Sequence, residues 1–284
     1  MIRRDPFLLA RLLSALLLSL AWTSSTPGQI FDANVELSSD RWQYPFNFTP
    51  GSRQNGPLFI LDATDSADFN ARDGMVIIKW EITLPPDLPG PFEVVEATLR
   101  FWDRKQAGYV LGSLSPSGRP QQIEIYPARF DDPYSEASWQ GTEPYVGGGV
   151  GSATGAAFRN PYPIDLATGA HVENNILTAT PWAIGEAVGY TPGQMTDAFP
   201  IDFHLDVSHP TIQAELSEDL LSGYSSWFIS ATFEINTIDA SAIPQVLMSE
   251  AVGNTAWGTS HRAPSLSIHF REKASSVGSW HLYE

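Results

Sequence analysis

Residues 62 to 74 read DATDSADFNARDG and place Asp62, Asp65, Asp68, Asn70 and Asp73 within thirteen positions. Oxygen ligands at that density hold a hard cation such as calcium when a loop folds them inward. The spacing does not follow the EF-hand pattern, and Asp-rich turns also form without an ion because Asp bonds its own backbone. A structural calcium site and a solvated turn are both open readings of this loop. Asp202, His204 and Asp206 alternate along IDFHLDV. A strand would put them on one face, turned to water or to a metal.

Asp132 and Glu136 could pair as acid and base, but they sit in the turn-forming stretch DDPYSE with nothing beside them to shift either pKa. Neither GxSxG nor HExxH occurs, and Gly147-Gly148-Gly149 lacks the GK[ST] ending of a phosphate loop. Cysteine is absent, which excludes thiol catalysis, disulfides and Cys-bound metal centres. The sequence reads as non-enzymatic. A different chemistry is open to its nine tryptophans and nine tyrosines, because aromatic rings stack on the apolar faces of sugars while amides and carboxylates bond the hydroxyls. The loop candidates for glycan contact are Tyr145, Tyr162, Trp182 and Trp257, with Asn254 and His261 as polar neighbours. The other reading of each ring, and the commoner one, is packing over the core or a rim.

The elements that must position these groups are strands. Residues 76 to 82 are β-branched and aromatic, and residues 94 to 102 alternate, with four prolines and Gly90 forbidding a helix between them. A period of two sends Val95, Ala97, Leu99 and Phe101 inward, and Val94, Glu96, Thr98, Arg100 and Trp102 outward. Further strands are expected over 31–37, 58–61, 123–126, 201–207, 227–235, 246–250 and 266–270. One helix is expected between them, capped by Ser208, with Pro210 in its first turn. It would turn Ile212, Leu216 and Leu220 inward and Glu215, Glu218 and Asp219 to water, and end at Gly223. The fold class is all-β, a jelly-roll β-sandwich of two antiparallel sheets with one short helix.

Several stretches resemble DNRLRE domains, secreted jelly-roll modules related to carbohydrate-binding modules. Ile78-Lys79-Trp80-Glu81-Ile82, then Leu84-Pro85-Pro86, then Val95-Glu96-Ala97-Thr98-Leu99-Arg100-Phe101 is similar to the family's "LRFDL", "SLP" and "SATLRL" succession. Tyr134 to Trp139 is similar to its "WTE…TW" stretch, the helix to its "VTSLVQ", and residues 262 to 270 to its closing "RPRLVVTY" strand. The namesake DNRLRE string is missing, and Tyr134 stands where Trp is usual. The resemblance implies an exported module without catalysis of its own that binds polysaccharide or a cell-surface glycan. A structural or adhesive envelope protein is the alternative, and a polysaccharide lyase or hydrolase on the same scaffold is a second one.

Arg3, Arg4 and Arg11 precede an apolar run over 12–22 and the small residues 23–28, the grammar of a bacterial-type export signal. The run is about half the ~20 residues that cross a bilayer. The stretch lacks a clean Ala-x-Ala, so a retained anchor is the other reading. No later segment is apolar enough to span. The expected layout is a signal over 1–28, a single domain over 29–272 with an insertion at about 141–200, and a frayed tail over 273–284. The formal charge of −16 becomes −18 once three arginines and Asp5 leave with the signal. Such a surface repels nucleic acid. It suits divalent cations and neutral or cationic partners, and the resemblance implies a secreted or cell-surface protein whose partner is a polysaccharide.

Overall fold

The computed structural model describes residues 28–43, 55–58, 60–61, 74–88, 90–103, 120–128, 163–170, 172, 179–188, 199–232, 234–235, 244–247, 252 and 262–273. These build a β-sandwich. One sheet has seven strands: β1 (Phe31–Asp32), β3 (Asn55–Pro57), β6 (Phe92–Asp103), β9 (Glu186–Ala187), β10 (Phe199–His204), β13 (Gln245–Leu247) and β14 (Ser265–Glu272). The other has five: β2 (Asn34–Gln43), β5 (Met75–Thr83), β7 (Ile123–Pro127), β8 (Ala183–Ile184) and β11 (Tyr224–Ala231). A separate parallel pair joins β4 (Ile60–Leu61) to β12 (Glu234–Ile235).

The strand orders are β1-β14-β6-β10-β9 and β2-β5-β11-β7-β8, and every pairing within the two sheets is antiparallel. The chain changes sheets between β1 and β2, β2 and β3, β5 and β6, β6 and β7, β8 and β9, and β10 and β11, and it also crosses by way of β4 from β3 to β5 and by way of β12 from β11 to β13. That wrapping is a jelly roll.

Between the sheets, Val76, Ile78, Trp80, Ile125, Trp227 and Ile229 meet Leu99, Phe101, Ile201, Phe203, Ile268 and Phe270, all at most 1% exposed. The inward phase of β6 differs from strict alternation. Phe92 and Val94 are buried, as are Ala97, Leu99 and Phe101, while Val95 is only half-buried. His269 pairs with Glu96 and Phe270 with Val94, so Val95 is the extra residue of a β-bulge and the inward set shifts by one across it.

The helix α1 (Pro210–Ser222) closes one end of the sandwich with Ile212, Leu216 and Leu220. Gly223 ends it in the left-handed region at φ 81°, where a side chain would be strained. Ser208 does not cap it. The cap position is His209, and the Ser208 amide and hydroxyl donate to Asp206 Oδ1 instead. Nor do Glu215 and Asp219 face only water: Glu215 is buried, and Asp219 accepts a bond from the Ser225 hydroxyl at 2.5 Å.

Part of the span expected as an insertion belongs to the sandwich itself, because it supplies β8 and β9 at the sheet edges. Gly185 lets the chain cross between them. A Cβ there would lie 2.6 Å from Ile201 Cγ2 and 2.9 Å from the Phe203 ring. Just before, Asp165 organises a turn by accepting bonds from the Thr168 amide and hydroxyl and the Thr180 amide. Burial raises its pKa, but these bonds outweigh that and leave the carboxyl below its usual range.

Candidate functional site

Register decides which side chains share a face. Across β10, β6 and β14, Asp202 lies opposite Arg100 and Arg100 opposite Ser265, while His204 lies opposite Thr98 and Thr98 opposite Ser267. A third row runs Glu96, His269, Asp32 across β6, β14 and β1, and Glu186 of β9 extends the first. The residues between these positions are core, so all of these polar groups stand on the outer face of the seven-stranded sheet.

Paired groups order this face. Arg100 donates from Nε and Nη2 to the two carboxylate oxygens of Asp202, at 2.5 Å each. The bond to Asp202 raises the guanidinium pKa above its ordinary value against a smaller opposing effect of burial. Thr98 Oγ1 lies 3.1 Å from His204 Nδ1, and Asp32 Oδ1 lies 2.5 Å from His269 Nδ1. Each imidazole is thus held by one nitrogen, leaving Nε2 for other partners. At the far end Arg271 donates to both oxygens of Glu93, and that bond holds the Glu93 carboxyl below its usual range despite some desolvation. The result is an array of hydroxyl, imidazole, guanidinium and carboxylate groups about 4.8 Å apart across strands.

The outer face of the five-stranded sheet differs. Met75, Ile77, Tyr126, Ala128 and Phe228 lie on it, all buried. Among its polar groups, the Tyr126 hydroxyl and Gln122 Nε2 each donate to one oxygen of Glu124, both at 2.6 Å. Burial, reinforced by Glu124, pushes the Tyr126 phenol far up. Near α1 this face opens, where Tyr224 is exposed with Lys79 Nζ 5.0 Å from its ring centroid, and at the β8 edge Ile184 is exposed as well.

No protein-family model matches the chain, and no curated protein does. The assignment of this face therefore rests on geometry.

Of the aromatics expected at a glycan site, Trp182 is placed, and it is not available. It is 3% exposed, its indole N–H donates to the Ile164 carbonyl at 2.9 Å, and it packs edge-on against Trp227. The proline-rich surroundings suggested a loop, but the ring fills the core beside β8. Tyr145, Tyr162, Asn254, Trp257 and His261 lie outside the described residues, as do Asp62, Asp65, Asp68, Asn70 and Asp73 of the calcium reading. Asp132, Glu136 and most of the signal segment lie outside them too.

Asp202, His204 and Asp206 do not converge, because each has its own partner in Arg100, Thr98 and Ser208. Among the described residues no group of three or more His, Asp or Glu is arranged for a metal ion. Asp32, Thr98, Arg100, Ser267 and His269 were not singled out by sequence. Their alternation was legible, but the pairing of β1 and β10 with the far ends of β14 and β6 was not.

Proposed function

We propose that the protein is an exported β-sandwich that binds polysaccharide across the outer face of its seven-stranded sheet. The observation that carries this reading is the contrast between the faces: on one outer face Met75, Ile77, Tyr126 and Phe228 are buried, whereas the other is open and lined with ordered donors and acceptors. Hydroxyl-rich chains are recognised by such groups, and Arg100, held by Asp202, is the most constrained donor among them. Carboxylates outnumber guanidinium groups here, with Asp32, Glu93, Glu96, Glu186 and Asp202 against Arg100 and Arg271, so neutral glycans suit the face better than acidic ones. The resemblance to DNRLRE modules and the export-type leader point the same way.

Affinity electrophoresis of the mature protein in gels cast with neutral or acidic polysaccharides tests the reading. The expected result is retardation by at least one neutral polysaccharide, weakened about tenfold, or ~1.4 kcal/mol, by Arg100→Ala. Absence of retardation by every polysaccharide, with the protein folded, would leave the envelope-protein alternative in its place. Adding EDTA tests the calcium reading of the Asp62 to Asp73 loop: retardation that falls on chelation supports a structural ion.

A further inference from the structure

The same face holds an arrangement that binding alone does not use. His269 sits between Asp32 on the neighbouring strand and Ser267 two residues earlier on its own. Its Nδ1 is 2.5 Å from Asp32 Oδ1, and its Nε2 is 3.5 Å from Ser267 Oγ. That is the atom order of an acyl-transfer relay: a carboxylate on Nδ1 fixes the tautomer whose Nε2 accepts a proton, and Nε2 faces a hydroxyl. The Nε2 to Oγ distance is longer than a good hydrogen bond and lies in the range such pairs show before substrate tightens them. His204, on the same face, has only the Thr98 hydroxyl at its Nδ1.

The relay is accessible. Ser267 is exposed, and the His269 and Asp32 side chains are 36% and 81% exposed. Next to it, β14 runs past the end of β1. The bond from the Ala33 amide to the Ile268 carbonyl shows which residues turn their peptide groups to that edge, so the Leu266 N–H also points there, one residue from Ser267. Among the described residues no strand pairs with it there.

We propose that Ser267 is a nucleophile activated by His269, with Asp32 as the positioning residue, and that it removes ester-linked acyl groups from polysaccharide held on this face. The substrate class rests on the glycan-binding reading above; the nucleophile does not. Ser267 Oγ forms a bond to the ester carbonyl carbon as its proton passes to His269 Nε2. The tetrahedral intermediate collapses, the sugar C–O–acyl bond breaks, and the departing sugar oxygen takes the proton from Nε2. Water, deprotonated by the same nitrogen, then releases the carboxylic acid and restores the Ser267 hydroxyl.

A fluorophosphonate probe applied to the mature protein, with mass spectrometry of the adduct, tests this, alongside turnover of p-nitrophenyl acetate. The expected result is labelling at Ser267 that is lost in Ser267→Ala, falls at least tenfold in His269→Ala, and is unchanged in Tyr224→Phe on the other sheet. Asp32→Asn should lower kcat several-fold with KM unchanged, and Asp32→Glu should restore it. Labelling of Ser267 no faster in the folded protein than in the denatured chain, or labelling indifferent to His269→Ala in a protein that keeps its thermal midpoint, would overturn the proposal. Retardation by polysaccharide is scored separately. Labelling without retardation would sink the glycan substrate and keep the nucleophile, whereas retardation without labelling would do the reverse.

Discussion

Outside the core the two sheets part company: Ile77, Tyr126 and Phe228 lie at no more than 2% exposure on the outer face of one, while Asp32, Arg100, His204 and Ser267 stand in water on the other. The inner faces are alike, so the difference comes from what alternates with the core residues. In β6 and β14 the alternating positions are Glu, Thr, Arg, Trp, Ser and His. In β5 and β11 the runs MVIIKW and WFISA are apolar at nearly every position, the pattern of a strand buried on both sides. A single sandwich can thus carry buried apolar side chains on one outer face and exposed polar ones on the other, and strand composition separates the two.

The contrast can be broken by mutation, most strongly on the closed face. Phe228→Ala should cost ~3–5 kcal/mol, as for other fully buried aromatics, read as a lower urea midpoint. An effect under about 1 kcal/mol would mean that this face is not packed. Tyr126→Phe removes the donor to Glu124 Oε2 and should cost ~1–3 kcal/mol in the same assay. Gly185→Ala should cost a similar ~1–3 kcal/mol, because the new methyl meets Ile201 and Phe203 with little room to shift.

Asp165 supplies a pH test. Its folded carboxyl titrates below the unfolded value of about 3.9, so its contribution is full above that pH and is lost as pH falls through the folded value. Asp165→Asn should therefore be less stable than the parent near neutrality and narrow the gap in acid. A gap that stays constant from neutrality into acid would contradict the turn described here. The smallest effect belongs to the open face, where His204→Ala should change stability by less than about 0.5 kcal/mol while weakening glycan binding.

Much of the fold was legible because period-two patterning and turn residues survive into three dimensions. Strands fell near 76–82, 94–102, 123–126 and 266–270, and Gly223 ended the helix as expected, whereas the stretch 31–37 divides between β1 and β2 in opposite sheets. Val95 shows where that reading stops. A bulge is a property of the pair β6 and β14, and either strand alone looks regular. Ser208 failed as a cap for a related reason, since Asp206 two residues earlier competes for the same hydroxyl. Trp182 was misplaced because a proline-rich neighbourhood carries no period, and only the partner strand β7 reveals that the ring faces the core. The open face was half legible: Asp202 and His204 were seen to share a side, but the groups opposite them come from residues over a hundred positions away for Thr98 and Arg100.

Covalent footprinting with diethylpyrocarbonate, with and without a polysaccharide that retards the protein, tests the assignment of the binding face most directly. His204 and His269 lie on different strands of the proposed face, and both are accessible in the free protein. Joint protection of the two imidazoles is the expected result. Modification of both at an unchanged rate, with the polysaccharide bound, would place the ligand elsewhere and contradict the division of labour between the two sheets.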